Sequence, residues 1–461
     1  MRSTVANRES RLLFWQHVRE FAVPPSMIRT ATARRVAGDW AGACAAARVD
    51  ADLNLRAVAR VHGRGFAADL RTELRHLAPD LLRWHLPRVA PDGLLRPGLT
   101  ISLARYHLSG PGSSVHLVAR TAPAWADAGQ RISLALWDES RPADLPHPHP
   151  HPHPDRRFRL DLHRHLWDVR HAGELRERSG AQPSATTGPV PPPGPVPPDL
   201  VPPDGGCATD RWAAEAALLL RAEGRAGGTV TVRLHGRRRL ALDLDAAEQV
   251  RVSAVPPAKR DDPARPVLPY AATWVLPDLE LLRAGAVPPD RLHPLVAAAL
   301  APDHRAAGDA WTDNAGTGVR VVECRGAEHR IGIVDGVLVA LDHDPDELRR
   351  EGLLAELGGT PLACLRAIDL AHRSPECLPD VQARLDHGDT AGALAAVEAL
   401  LGADVLLRAG SLREELERAA QRQVVHGAYR AGLTGRGPTR EPDRKRRGAD
   451  LNRPRLARHH R

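Results

Sequence analysis

The chain has 461 residues, 43% of them hydrophobic, which is long enough for two or three buried cores and too apolar for global disorder. Its formal charge of +8 is uneven: residues 436–461 hold ten arginines and lysines against Glu441, Asp443 and Asp450, which leaves about +1 for everything before them. This excludes a nucleic-acid footprint spread over the body and confines any phosphate-binding charge to the tail.

Lysine occurs only at Lys259 and Lys445, while Arg, Ala, Leu, Pro and Gly abound, the usage of a GC-rich genome. The five cysteines, Cys44, Cys207, Cys324, Cys364 and Cys377, are odd in number, far apart and without a CxxC pair. That pattern points to a reducing cytoplasm rather than a disulfide framework. The stretch MRSTVANRESRLLFWQHVREF carries charges where a signal peptide needs an apolar run. The longest apolar stretches, such as LVAAALA from Leu295, fall far short of the ~20 residues of a membrane span.

From the N-terminus, Arg8 to Phe21 carries Leu12, Leu13, Trp15, Val18 and Phe21 at helical spacing, and Ser26 behind Pro24 and Pro25 is the expected N-cap of a second helix. Gly38 ends that helix and Asp39 caps the next, a short αα-hairpin. More helices follow from Leu55 to Leu86. The period then changes to two in LTISLARY, VHLVART and RISLALW, which predicts a three-stranded meander from Leu99 to Trp137. Trp15, Trp40, Trp84 and Trp167 fall on apolar stretches and read as core anchors.

Residues 146–154, PHPHPHPHP, alternate His147, His149, His151 and His153 with proline. Polyproline II has three residues per turn, so histidines two apart diverge by about 120°. Only His147 and His153 share a face, roughly 19 Å apart at ~3.1 Å per residue, too far for one ion. A metal centre is better sought in RFRLDLHRHLWDVRH. As a strand, this segment turns Phe158, Leu160 and Leu162 to the core and sets Asp161, His163 and His165 on the other face. One carboxylate and two imidazoles can take Zn or another divalent metal. As a helix it makes a core stripe of Leu162, Leu166, Val169 and Leu175 and the triad disperses; the sequence leaves both open.

The stretches WHLPRVAPDGLLRPGLT and RFRLDLHRHLWDVRHAGEL resemble a family of proteins from high-GC Gram-positive bacteria to which no activity is assigned. The resemblance covers most of the chain outside the proline-rich segment and the tail. It implies a bacterial context and no chemistry.

Ten prolines in the 21 residues 183–203 rule out a hydrogen-bonded ladder, so residues 183–206 are expected to be an extended linker. Residues 1–182 then form an N-terminal part and residues 207–344 a central α+β part. In the latter, a helix over Asp210 to Arg221 precedes a hairpin, TVTVRLHGRRRLALDLD, with Val230, Val232 and Leu234 on one face. Asp243 and Asp245 read as cross-strand partners of Arg233 and Arg237 to Arg239. A second meander, VRVVECRGAEHRIGIVDGVLVAL, turns at Asp335-Gly336, a favoured tight-turn pair. Residues 345–434 are expected to be helical, with caps at Asp344, Thr360 and Ser374 and a capping box at Ser411 to Glu414. Asp342, Asp344, Asp346 and Glu347 read as caps before they read as Mg²⁺ ligands. GDTAGALAA from Gly388 echoes GDWAGACAA from Gly38, a shared local device rather than a solenoid repeat. Residues 435–461 are expected to be a disordered basic tail.

No GxSxG, Walker A, GxGxxG after a strand, or HExxH occurs. The expectation is therefore an α+β cytoplasmic protein that acts without catalysis, a scaffold presenting helical hairpins to a protein partner. One alternative is nucleic-acid association through Arg444, Lys445, Arg446 and Arg447. The other is a metal-dependent hydrolase using Asp161, His163 and His165.

Overall fold

The computed structural model describes residues 2–107, 114–126, 130–140, 149, 151–181, 200–201, 206–234, 238–244, 250–255, 265–304, 320–334, 337–357, 362–373, 378–401 and 409–433. Over these the chain is mixed α+β, as its two periodicities predict.

Six helices and a short strand open the chain: α1 (Arg2–Phe21), α2 (Pro25–Val36), α3 (Trp40–Ala46), β1 (Val49–Ala51), α4 (Leu55–His62), α5 (Arg64–His76) and α6 (Pro79–His85). α2 starts at Pro25, ahead of the expected cap at Ser26, because proline at the first helical position has the right φ and lacks only an N–H that would go unpaired. Asp39 caps α3 as expected, accepting from the Gly42 N–H at 2.8 Å. A two-stranded hairpin follows, β2 (Arg88–Val89) and β3 (Leu94–Leu95).

The meander forms as β4 (Thr100–His107), β5 (Ser114–Thr121) and β6 (Ile132–Asp138). β1 joins it in parallel, Val49 opposite Ile132, for a strand order β1-β6-β5-β4. A three-residue strand is too short to show its alternation in the sequence. Val18, Leu70, Leu74, Trp84, Leu103, Leu117 and Trp167 share one core, and Leu292, Val296 and Ala299, from beyond the proline-rich segment, complete it. Trp84 and Trp167 are core anchors as expected, while Trp15 and Trp40 pack at the core's edge.

Residues 157–175 are neither strand nor helix but consecutive tight turns with 3-10 turns at Arg164–Leu166 and Ala172–Glu174, leading into α7 (Leu175–Arg178). The cause is partly local. Arginine and aspartate two residues apart clasp each other at Arg157 with Asp155, Arg159 with Asp161 and Arg170 with Asp168, a spacing that a helix does not bring together. The backbone is satisfied across the fold instead, the Asp161 N–H on the Ser102 carbonyl at 2.9 Å and that of Val169 on His76 at 3.0 Å.

Beyond residue 206, α8 (Trp212–Ala222) packs on an antiparallel sheet of β7 (Gly228–Arg233), β8 (Arg239–Leu244) and β9 (Val250–Ala254) around Trp212, Leu219, Val230 and Leu242. The expected charge pairing is altered: Asp243 stands opposite Thr229 and Arg251, and Arg233 opposite Arg239. Asp245 and Arg237 lie outside the described residues. α9 (Tyr270–Thr273), α10 (Pro277–Arg283) and α11 (Pro294–Leu300) return the chain to the first core.

The third sheet is β10 (Arg320–Cys324), β11 (Ala327–Val334) and β12 (Val337–Ala340), with Val334 opposite Val337; Asp335 and Gly336 lie outside the described residues. Then come α12 (Pro345–Glu356), α13 (Ala363–Arg373), α14 (Leu378–Asp386), α15 (Thr390–Leu401) and α16 (Ser411–Arg430). Asp344 caps α12, its Oδ1 taking the Asp346 N–H at 2.8 Å, and Asp342 pairs with Arg330. The capping box at Ser411 is not made: the N-cap of α16 is Gly410, without a side-chain bond. Thr360 and Ser374 lie outside the described residues.

The GD device is the same structure twice. Gly38 and Gly388 both take a left-handed φ, +78° and +82°, and Asp39 and Asp389 both accept from the N–H three residues on. A Cβ on Gly42 or Gly392 would sit 2.1 Å from that carboxylate, which is why both copies keep glycine there. The second copy docks on the N-terminal part, where Arg48 and Arg83 donate to the His387 carbonyl at 3.1 and 3.3 Å. Among the described residues no helix is long and apolar enough to cross a membrane.

Candidate functional site

Asp161, His163 and His165 do not gather at one point. Arg159 clasps Asp161, Nε to Oδ1 at 2.9 Å and Nη2 to Oδ2 at 2.8 Å. His163 is buried 3.8 Å from Glu215, with its Nδ1 3.3 Å from Arg178 Nη2. His165 is buried with its ring 5.6 Å from that of His163. The turns over 157–175 never set up the strand alternation that would align the three. Among the described residues, the one trio of His, Cys, Asp or Glu whose ligand atoms all lie within 4.8 Å is Cys324, His343 and Cys364.

The histidine-proline run is structural over its described part. His149 is buried with Nε2 2.9 Å from the Thr121 carbonyl, the His151 carbonyl accepts from Thr100 Oγ1 at 2.6 Å, and His153 meets Trp137 edge-on. His147 and the tail's Arg444, Lys445, Arg446 and Arg447 lie outside the described residues.

What the fold does build is a cavity of about 720 Å³ where α1, the stretch from α6 to β4, the turns of 157–179 and the segment from α9 to α10 meet. Volumes of this size accommodate a small organic molecule. One side is locked. Arg19 is bidentate on Asp278 at 2.8 and 2.7 Å, donates to the Trp84 carbonyl at 2.8 Å, and lies over the Trp84 ring at 4.5 Å and near Trp15 at 5.3 Å. Trp84 Nε1 donates to the same carboxylate at 3.0 Å. Trp15, Phe158, Tyr270 and Trp274, with Leu86, Ile101, Leu160 and Leu166, supply the apolar wall.

The polar wall is cationic. Eight arginines line the cavity against the single carboxylate of Glu280. Five are neutralised by carboxylates: Arg11 by Glu280, Arg19 by Asp278, Arg157 by Asp155, Arg159 by Asp161 and Arg178 by Glu215. Arg88, Arg96 and Arg211 have no ion pair among the described residues. Arg88 is held only by the carbonyls of Arg83 and Gly93, at 2.6 and 3.4 Å, and Arg211 by those of Arg178 and Trp274. Burial, reinforced by the Arg19 charge, pushes the Arg88 guanidinium down to about 9, and burial lowers Arg211 as well.

Three buried polar atoms of the lining make no hydrogen bond: His85 Nε2, Arg88 Nε and His165 Nδ1. The His85 Nδ1–H donates to the Leu166 carbonyl at 3.0 Å, which leaves Nε2 an acceptor, 4.0 Å from Asp278 Oδ2 and without a hydrogen bond. Burial takes His85 down to about 4 despite Asp278, and burial with the neighbouring His163 holds His165 well below the ordinary imidazole range. Both are neutral at pH 7 in a wall that already carries unbalanced positive charge.

Sequence reasoning missed this site because its cations come from four separated segments in an arginine-rich chain, where no spacing marks them. The turn segment that suggested a metal centre does contribute, through His165 and through the arginines its aspartates restrain. Comparison of the chain with protein-family models, with curated proteins and with solved structures finds no match.

Proposed function

We propose that the chain binds a small organic anion in this cavity, its carboxylate, phosphate or sulfonate end among Arg88, Arg96 and Arg211 and its apolar body against Trp15, Leu160, Leu166 and Tyr270. The observation that carries the reading is three cations on the wall of one cavity with no carboxylate of the described residues within ion-pair distance, Arg211 feeling Glu215 and Asp210 only from farther off. A buried charge is costly unless paired, and a bound anion is the partner this wall can accept. The buried Arg88 Nε, a donor without a hydrogen bond, supports the same conclusion. The free thiols of Cys44, Cys207, Cys324 and Cys364 support a reducing, cytoplasmic setting.

Fluorescence titration with anilinonaphthalene sulfonate, an apolar aromatic anion, tests it. One site per chain is expected, weakened tenfold to a hundredfold in R96M, roughly the worth of one charge-assisted hydrogen bond. Equal affinity for an aromatic cation of the same size, or unchanged affinity in R96M and R88M, overturns the proposal.

A second reading, a protein-binding scaffold, has its own observation. Leu353, Leu354 and Leu357 of α12 and its end, and Leu370 of α13, are exposed by more than half. Exposed leucines of this kind on helices suit a protein partner. Crosslinking in the native host, with L354E/L357E as control, tests it: an adduct lost in the double variant supports the scaffold, and one unchanged argues against it.

A further inference from the structure

We infer that Cys324, His343 and Cys364 form a zinc site that fastens the third sheet to the helices following it. Cys324 ends β10, His343 lies in the connection from β12 to α12, and Cys364 is in the first turn of α13. Their ligand atoms lie within 4.8 Å of one another, and Cys364 Sγ is 3.5 Å from His343 Nε2. Tetrahedral coordination with Zn–S of about 2.3 Å and Zn–N of about 2.0 Å gives an S to N edge of about 3.5 Å, which the Cys364 to His343 separation matches. Two thiolates and an imidazole are donors that favour zinc over the hard cations Mg²⁺ and Ca²⁺.

The surroundings are those of a metal-bound histidine. With Nε2 toward the sulfur, Nδ1 of His343 lies 3.4 Å from Glu347 Oε2, the outer carboxylate that orients a ligating imidazole and strengthens it as a donor. Glu347 is itself fixed by Arg325, which also pairs with Glu351 and belongs to the turn directly after Cys324. The His329 ring stacks on that of His343, centroids 4.2 Å apart and planes 11° from parallel. Both cysteines and the His343 side chain are buried, which separates the trio from a chance surface cluster.

The site also answers a stability problem. Apart from the two cysteines, the buried apolar residues of this small core are, among the described residues, Ile331, Ala340 and Leu362, with half-buried hydrophobics such as Val322, Leu338, Leu365 and Ile368 packed around them. So little apolar burial holds a three-stranded sheet and its helices weakly. One ion joining three segments, each roughly twenty residues from the next, closes two loops at once. Three protein ligands leave one tetrahedral position for water or another donor.

The test uses the full-length chain, purified without a histidine tag, and counts metal by elemental analysis. About one zinc per chain is expected, falling below about a tenth in C324S and in C364S and unchanged in H147A/H151A, which removes two imidazoles of the histidine-proline run and keeps its backbone and the buried His149. E347Q should keep the site and weaken its zinc affinity by about tenfold or more. Since a cysteine variant can fail to fold, the wild-type chain stripped of metal and titrated with Co²⁺ gives an independent readout. A thiolate-to-cobalt charge-transfer band reaching its plateau at one equivalent supports the site. A Cys324 to Cys364 disulfide in the purified protein, metal that follows the histidine-proline run instead, or Co²⁺ bound without that band each overturns it.

Discussion

Replacing Arg88 by methionine separates a cation kept for a ligand from one kept for the fold. The guanidinium sits in the cavity wall beside Arg19, with two carbonyl contacts and no carboxylate. Burial, and after it the Arg19 charge, bring its pKa down from 12.5 to about 9, so the fold holds this cation against its own desolvation. The two carbonyl contacts, the one to Gly93 long at 3.4 Å, are already part of that balance, so the charge adds little to the stability of the ligand-free chain. Methionine keeps the apolar stem and removes the charge. Urea unfolding without ligand should therefore show R88M within about 1 kcal/mol of the wild type on either side. Under the same conditions its affinity for anilinonaphthalene sulfonate should fall at least about tenfold. A loss of more than about 3 kcal/mol in stability with unchanged binding would refute the reasoning and make Arg88 a structural clamp for the Arg83 and Gly93 carbonyls.

Other perturbations follow from the same contacts. D278N removes the charge that holds Arg19 and is expected to cost about 3–5 kcal/mol in urea unfolding, because it strands a buried cation; a loss under about 1 kcal/mol would contradict that picture. Gly93 has φ of +68° and a Cβ there would lie 2.6 Å from Val18 Cγ2, so G93A should lose about 2–4 kcal/mol in the same assay. His85, His116 and His163 are all held near 4, chiefly by burial, below the ordinary 6.5. The unfolded chain then binds the extra protons, so stability is full above pH 6.5 and falls as the pH drops toward 4, by up to about 1.4 kcal/mol per unit for each histidine. A urea midpoint that stays flat from pH 7 to 5 would argue against that burial. Removing residues 436–461 should abolish duplex DNA binding at low salt, and any binding by the full chain should fall with a log-log salt slope of about −0.9 per neutralised phosphate. Binding retained by the truncated chain would point to a groove in the body.

Local physics was legible in the sequence. Asp39 and Asp389 cap because a short carboxylate reaches the N–H three residues on, and left-handed turns at Gly38 and Gly388 follow from glycine's freedom. β4, β5 and β6 announced themselves because seven or eight alternating residues make an unmistakable period. Only the tertiary structure decided what those elements assemble. β1 found β6 across 80 residues, and Leu292 to Ala299 joined a core begun at Val18, because apolar faces pair by shape and proximity and not by chain order. Residues 157–175 became turns because their Arg–Asp clasps and their bonds to Ser102 and His76 outweighed either regular ladder, and with that the alignment of Asp161, His163 and His165 was lost. The cavity and the Cys324, His343 and Cys364 cluster are tertiary in the strict sense. A charge is unpaired, or a thiol lies within bonding reach of an imidazole, only once distant segments meet, and no local spacing encodes that meeting.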